Sequence, residues 1–159
     1  MVFIKILLIN LLILITSLVY SQDTQYLKME LNEYTIPHDL KEKLLELTKH
    51  LRPEDKKLIF FFNESKKEGD IQYNVSGSYG IYQIDEHKIQ GFFKVNDKLF
   101  LLSEVPSHLS LNINNKQAVK VELLKEQQVF DAYIDDLPYW ILDYKDNKLR
   151  FTYTPYSMN

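Results

Sequence analysis

Cysteine is absent from this 159-residue chain, which excludes disulfides, thiolate metal sites and thiol nucleophiles together. Glycine (4) and proline (5) are scarce, so collagen-like and low-complexity designs are excluded. Four glycines also leave little room for a phosphate-cradling loop, and no such motif is present. Cations are not in excess: the formal net charge is −3, which argues against the basic face of a nucleic-acid binder. Arginine is nearly absent, only Arg52 and Arg150 against many lysines, a bias of coding composition in which we read no function. What remains is a globular composition, 45% hydrophobic and 26% charged, of a length that suits one domain.

Residues 1–21 read as a secretory signal peptide. Lys5 is the one cation of the leading segment, and Ile6 to Val19 is apolar except for Asn10, Thr16 and Ser17. Val19-Tyr20-Ser21 then places a small residue just before Gln22, where cleavage is expected. A spanning helix needs about 20 predominantly apolar residues, and this run stops short of that at Gln22 and Asp23. The expectation is an exported chain, secreted or periplasmic, with no membrane attachment after cleavage. The mature part, 22–159, is expected to be one β-rich domain.

Between Asp39 and Leu51 the apolar period is helical. Leu40, Leu44, Leu47 and Leu51 form one stripe, with Lys41, Glu42, Lys43, Glu46 and Lys49 opposite. Pro37 suits the entry of this helix and Pro53 enforces its exit, near residue 52. Ahead of it, Leu27, Met29 and Leu31 alternate with polar residues, which favours a short strand. Leu58 to Phe62 is a continuous apolar run, as in a strand buried on both faces. Asn63 to Asp70 reads as a charged loop. Ile71, Tyr73, Val75, Tyr79 and Ile81 then alternate with Gln72, Asn74, Ser76 and Ser78, with Gly77 and Gly80 marking a bulge or bend.

Three hairpins can be placed in register. A two-residue turn at Asp146-Asn147 pairs Tyr144 with Leu149, Leu142 with Phe151 and Trp140 with Tyr153, and sets Asp143 opposite Arg150. A three-residue loop Asn114-Asn115-Lys116 would pair Leu111 with Val119 and Leu109 with Val121. A turn at Asn96-Asp97 pairs Phe93 with Phe100 on one face and Phe92 with Leu101 on the other. This last ribbon is apolar on both faces, so it must be covered from both sides. The fold expected is mainly β (α+β): an N-terminal amphipathic helix packed on an antiparallel meander, closed as a barrel or sandwich.

No reactive signature stands out. Gly77-Ser78-Tyr79-Gly80 resembles a nucleophile elbow only loosely and sits within strand periodicity. His38, His50, His87 and His108 show no i,i+4 pair, so no metal site and no cofactor are expected. Asp85-Glu86-His87 reads as a turn before it reads as an acid–base cluster. Asp131, Asp135 and Asp136 are the densest carboxylates and the weak candidates for a small acid-type hydrolase. The aromatic surplus near the C-terminus divides by face: Trp140, Tyr144 and Tyr153 fall on the apolar side, whereas Tyr139 and Tyr156 are candidates for a binding surface. Asn63-Glu64-Ser65 and Asn74-Val75-Ser76 are glycan acceptors if the host is a eukaryote. The function read from these residues is a non-catalytic exported domain that binds an unidentified protein or small ligand. The alternatives are a barrel-type carrier of an apolar ligand and the hydrolase.

Overall fold

A computed structural model describes residues 24–82, 87–124, 137–146 and 148–153; residues 1–21, expected above to be a leader, lie outside them. The described residues are mainly β, with one α-helix and one eight-stranded mixed sheet among them. The strands are β1 (Tyr26–Thr35), β2 (Ile59–Lys67), β3 (Asp70–Ser78), β4 (Gly91–Val95), β5 (Lys98–Leu102), β6 (Asn112–Glu122), β7 (Tyr139–Lys145) and β8 (Lys148–Tyr153), and the helix is α1 (His38–Lys49). Across the sheet they run β6-β1-β4-β5-β2-β3-β7-β8.

The centre of the sheet is the short β4–β5 hairpin. Phe93 stands opposite Phe100 and Phe92 opposite Leu101, and all four are at most 1% exposed. Its turn is made at Asn96, whose φ of 55° is a left-handed value that asparagine tolerates better than most residues. Successive residues point to opposite faces, so Phe93 and Phe100 enter one core cluster while Phe92 and Leu101 enter another. Each such buried side chain contributes roughly 1.5–3 kcal/mol relative to exposure.

Two chain connections supply the covering. On one face lies α1, whose Leu40, Leu44 and Leu47 are buried with Leu51 against Phe60, Phe62, Phe93 and Phe100. The rings there interlock: Phe60 and Phe93 each stack on Phe100 at 5.0 Å between centroids, and Phe62 stacks on Tyr73 at 5.3 Å. On the other face, the chain leaving β3 brings Ile81 and Ile89 over Met29, Leu31, Phe92 and Leu101. Ile81 reaches the outer edge of β6, where its N–H donates to the Glu122 carbonyl at 2.9 Å and its own carbonyl accepts from Leu124 N–H at 2.8 Å. Gly80 permits this approach, because a Cβ there would overlap the Glu122 carbonyl oxygen.

Among the described residues two charged side chains are buried, and both are partnered. Asp55, in the 3-10 turn Pro53–Lys57 that follows α1, receives a guanidinium fork from Arg52, Nε at 2.8 Å and Nη2 at 3.3 Å. Lys98 donates its ammonium to the Lys56 carbonyl, which ties the central hairpin to the same turn.

Several expectations are corrected. The sheet is mixed, because β1 and β4 are parallel, as are β2 and β5. It is not a meander, since the β4–β5 hairpin inserts between β1 and β2, and the single Ile81–Leu123 bridge does not close it into a barrel. No turn occurs at Asn114-Asn115-Lys116; that stretch belongs to the continuous strand β6, which pairs with β1 from Tyr26 to Thr35. The charged segment after Asn63 is strand as far as Lys67, and the chain reverses at Glu68 (φ 53°) and Gly69 (φ 92°). The last hairpin keeps the Tyr144–Leu149, Asp143–Arg150 and Leu142–Phe151 pairs, but an irregularity beyond Leu142 sets Tyr153 against Ile141 instead of Trp140.

Two glycine substitutions separate conformation from space. Gly69 has nothing within 4 Å of where a Cβ would stand, so Gly69→Ala meets only its left-handed backbone and costs about 1 kcal/mol. Gly80→Ala must displace backbone and costs about 3 kcal/mol. Urea unfolding of both variants checks the order.

Candidate functional site

The residues singled out in the sequence divide sharply. Asp131, Asp135, Asp136 and Tyr156 lie outside the described residues, as do Asp85 and Glu86, while His87 is exposed. Tyr139 opens β7 at 36% exposure, and its hydroxyl donates to Asn74 Oδ1 at 2.6 Å. Asn63 and Asn74 face each other in mid-strand on β2 and β3, both half-buried. The Asn74 amide donates to Ser65 Oγ at 2.8 Å, and the enclosed Asn63 Oδ1 makes no hydrogen bond. Both triplets therefore sit on strands. Among the described residues no group of three His, Asp or Glu stands close enough to hold a metal ion.

The structure assembles one cluster that nothing in the local sequence announced. Glu64 follows Phe60 and Phe62 on the α1 face of β2 and meets Ser107 and His108 from the loop after β5. Glu64 Oε1 accepts from Ser107 Oγ at 2.8 Å and lies 2.9 Å from His108 Nδ1, while Oε2 accepts the His108 backbone N–H at 3.1 Å. Burial by itself raises the Glu64 pKa. The hydrogen bonds from the His108 ring, Ser107 and the His108 backbone, with the imidazole charge, outweigh it and hold the carboxyl below its usual range.

Serine, histidine and glutamate are the parts of a hydrolytic triad, but the wiring differs. A triad hangs its serine and its acid on opposite ring nitrogens, so that the proton passes through the imidazole. Here Ser107 Oγ and Glu64 Oε1 both lie 2.9 Å from the same atom, Nδ1. The cluster acts as a clamp that fastens the loop to β2 while Leu109 and Leu111 pack on the core. Directly opposite Glu64, Tyr73 is fully buried with its hydroxyl unpaired. Burial, with Glu64, Tyr144 and Asp39 nearby, pushes the Tyr73 phenol far above its ordinary pKa, so it stays neutral at physiological pH.

One open feature among the described residues is a groove of about 350 Å3 between α1 and the edge strand β8, lined by Asp39, Glu42, Lys43 and Glu46 on one wall and Lys148, Leu149 and Arg150 on the other. The same leucine stripe that buries one side of α1 turns these charged residues outward. Within that wall Lys43 bridges Glu46 at 3.0 Å and also stands 5.5 Å over the Phe151 ring. The hairpin register determines what β8 presents. Its two-residue turn is closed by Lys145 and Lys148, so Lys148 and Arg150 direct their backbone groups inward to β7. Leu149 and Phe151 alternate with them and turn their N–H and C=O outward, while the Leu149 side chain is buried in the core below. No hydrogen bond takes those outward groups among the described residues.

Compared with known proteins, the chain matches no family model, no curated protein and no solved structure. The site is therefore read from its own chemistry.

The Glu64 clamp has a definite pH signature. A carboxyl whose folded pKa is depressed stabilises the protein above its ordinary value, near 4.5, and loses that contribution as pH falls through the depressed value. Glu64→Gln is expected to cost about 1 kcal/mol at pH 7 and to shrink as a difference below pH ~4. Urea midpoints of both proteins across that range measure it.

Proposed function

We propose that the chain is an exported, non-catalytic β-rich domain that binds a protein partner. The observation that carries this reading is the groove beside β8, where unpaired backbone groups of an edge strand meet a charged helix wall. Backbone groups left at a sheet edge are a ready template for another chain. The leader at residues 1–21 supports export. The wiring of Ser107, His108 and Glu64 supports a structural role for this cluster, which resembles catalytic machinery only in its residue types.

The carrier reading has less behind it. It needs a closed barrel whose aromatic side chains line empty volume, whereas this sheet is open, Phe60 and Phe93 stack on Phe100, and Phe62 packs edge-on against Phe93. The hydrolase reading rests on aspartates outside the described residues.

Two measurements test the proposal. N-terminal sequencing of the exported protein is expected to begin at Gln22. A pull-down from the producing cells with the chain from Gln22 onward is expected to capture a partner that the doubly substituted Lys148→Glu, Arg150→Glu chain loses. Capture of a co-purifying apolar small molecule by both chains would contradict it.

A further inference from the structure

We propose that the groove between α1 and β8 receives an extended peptide segment of another protein, which adds to the sheet as a ninth strand and carries acidic side chains at alternate positions. This rests on the partner-binding reading and names its site and its chemistry. The backbone argument comes first. Leu149 and Phe151 offer unpaired donors and acceptors on the outer edge of β8, the arrangement that strand addition uses for affinity. Neither side chain is free to bind in the ordinary sense, because both pack toward the core. What β8 can offer a partner is its backbone and the flanking charges.

The charges then select the occupant. A strand paired to β8 places every second side chain beside Lys148 and Arg150, and the intervening ones beside Leu149 and the α1 wall. Lys148 and Arg150 have no ion pair among the described residues, although Asp143 stands opposite Arg150 in register. Acids on that side of the incoming strand would pair with them. On the other side, the wall of Asp39, Glu42 and Glu46 disfavours further acids and favours apolar or basic residues.

The same reasoning disfavours a second copy of this chain. Two β8 strands paired antiparallel about a two-fold axis at Leu149 or at Arg150 would place Arg150 against Lys148 or against Arg150, and like charges directly opposite are destabilising. The other sheet edge is a poorer site. The end of β6 is already taken by Ile81, whereas α1 packs beside β8.

The test uses the mature chain and three synthetic heptapeptides. The first is Glu-Val-Glu-Val-Glu-Val-Glu; the second and third are copies N-methylated at the valines or at the glutamates. A strand turns alternate amides to opposite edges, so only one edge pairs with β8. One methylated copy is therefore expected to bind like the parent and the other at least about tenfold more weakly. Amide exchange at Leu149 and Phe151 is expected to slow on binding the parent peptide, and Lys148→Glu with Arg150→Glu is expected to weaken it about tenfold or more. Equal binding of both methylated copies, or protection that maps to β6, would overturn the proposal. Absence of peptide binding would also overturn it. The partner-binding reading stands or falls separately, on whether the mature chain still captures a partner.

Discussion

The whole arrangement depends on the double burial of one short ribbon. Phe92 and Leu101 face one core cluster while Phe93 and Phe100 face the other, and no ribbon of five-residue strands can satisfy both faces alone. The sheet resolves this by making the ribbon its centre, with β1 and β2 alongside as parallel neighbours. The connection from β1 to β2 then crosses one face as α1, and Ile81 and Ile89, from the two ends of the segment between β3 and β4, pack on the other. Each linker is thus also a lid on the core. Lys98 ties the tip of this ribbon to the turn after α1, and the Arg52–Asp55 pair braces that turn from within.

That choice of centre decides what lies at the edges. Once β4 and β5 occupy the middle, β6 is left outside β1, and the last hairpin is left outside β3. Leu149 can then bury its side chain beneath α1 while its peptide groups face outward. Core and groove are two sides of the same residue. The charged face of α1 is positioned beside that edge by the leucines on its opposite side, so the packing that stabilises the helix also builds one wall of the site.

Local pairings were legible and distant ones were not. The turns at Asn96-Asp97 and Asp146-Asn147 were readable because a two-residue loop and the pattern beside it determine the register within a few residues. The parallel pairs β1–β4 and β2–β5 join segments far apart in the chain, and no local period encodes them. The turn imagined at Asn114 failed because the polar, exposed start of β6 is an edge strand, held by pairing with β1 and not by burial. The segment after Asn63 looked like a loop because its charges lie at the solvent end of β2 and β3, where strands need no apolar face. In the site, the Glu64 clamp joins residues more than forty positions apart. The outward-facing backbone of β8 has no side-chain signature at all; only the hairpin register reveals it.

Native-state hydrogen exchange of the backbone amides of Phe92, Phe93, Phe100 and Leu101 tests the central claim most directly. If the ribbon is enclosed from both directions, these amides exchange only through global unfolding, with opening free energies equal to the stability measured by urea. Exchange of these four at a lower opening free energy than the amides of β7 would contradict it, because the centre of the sheet would then open before its periphery.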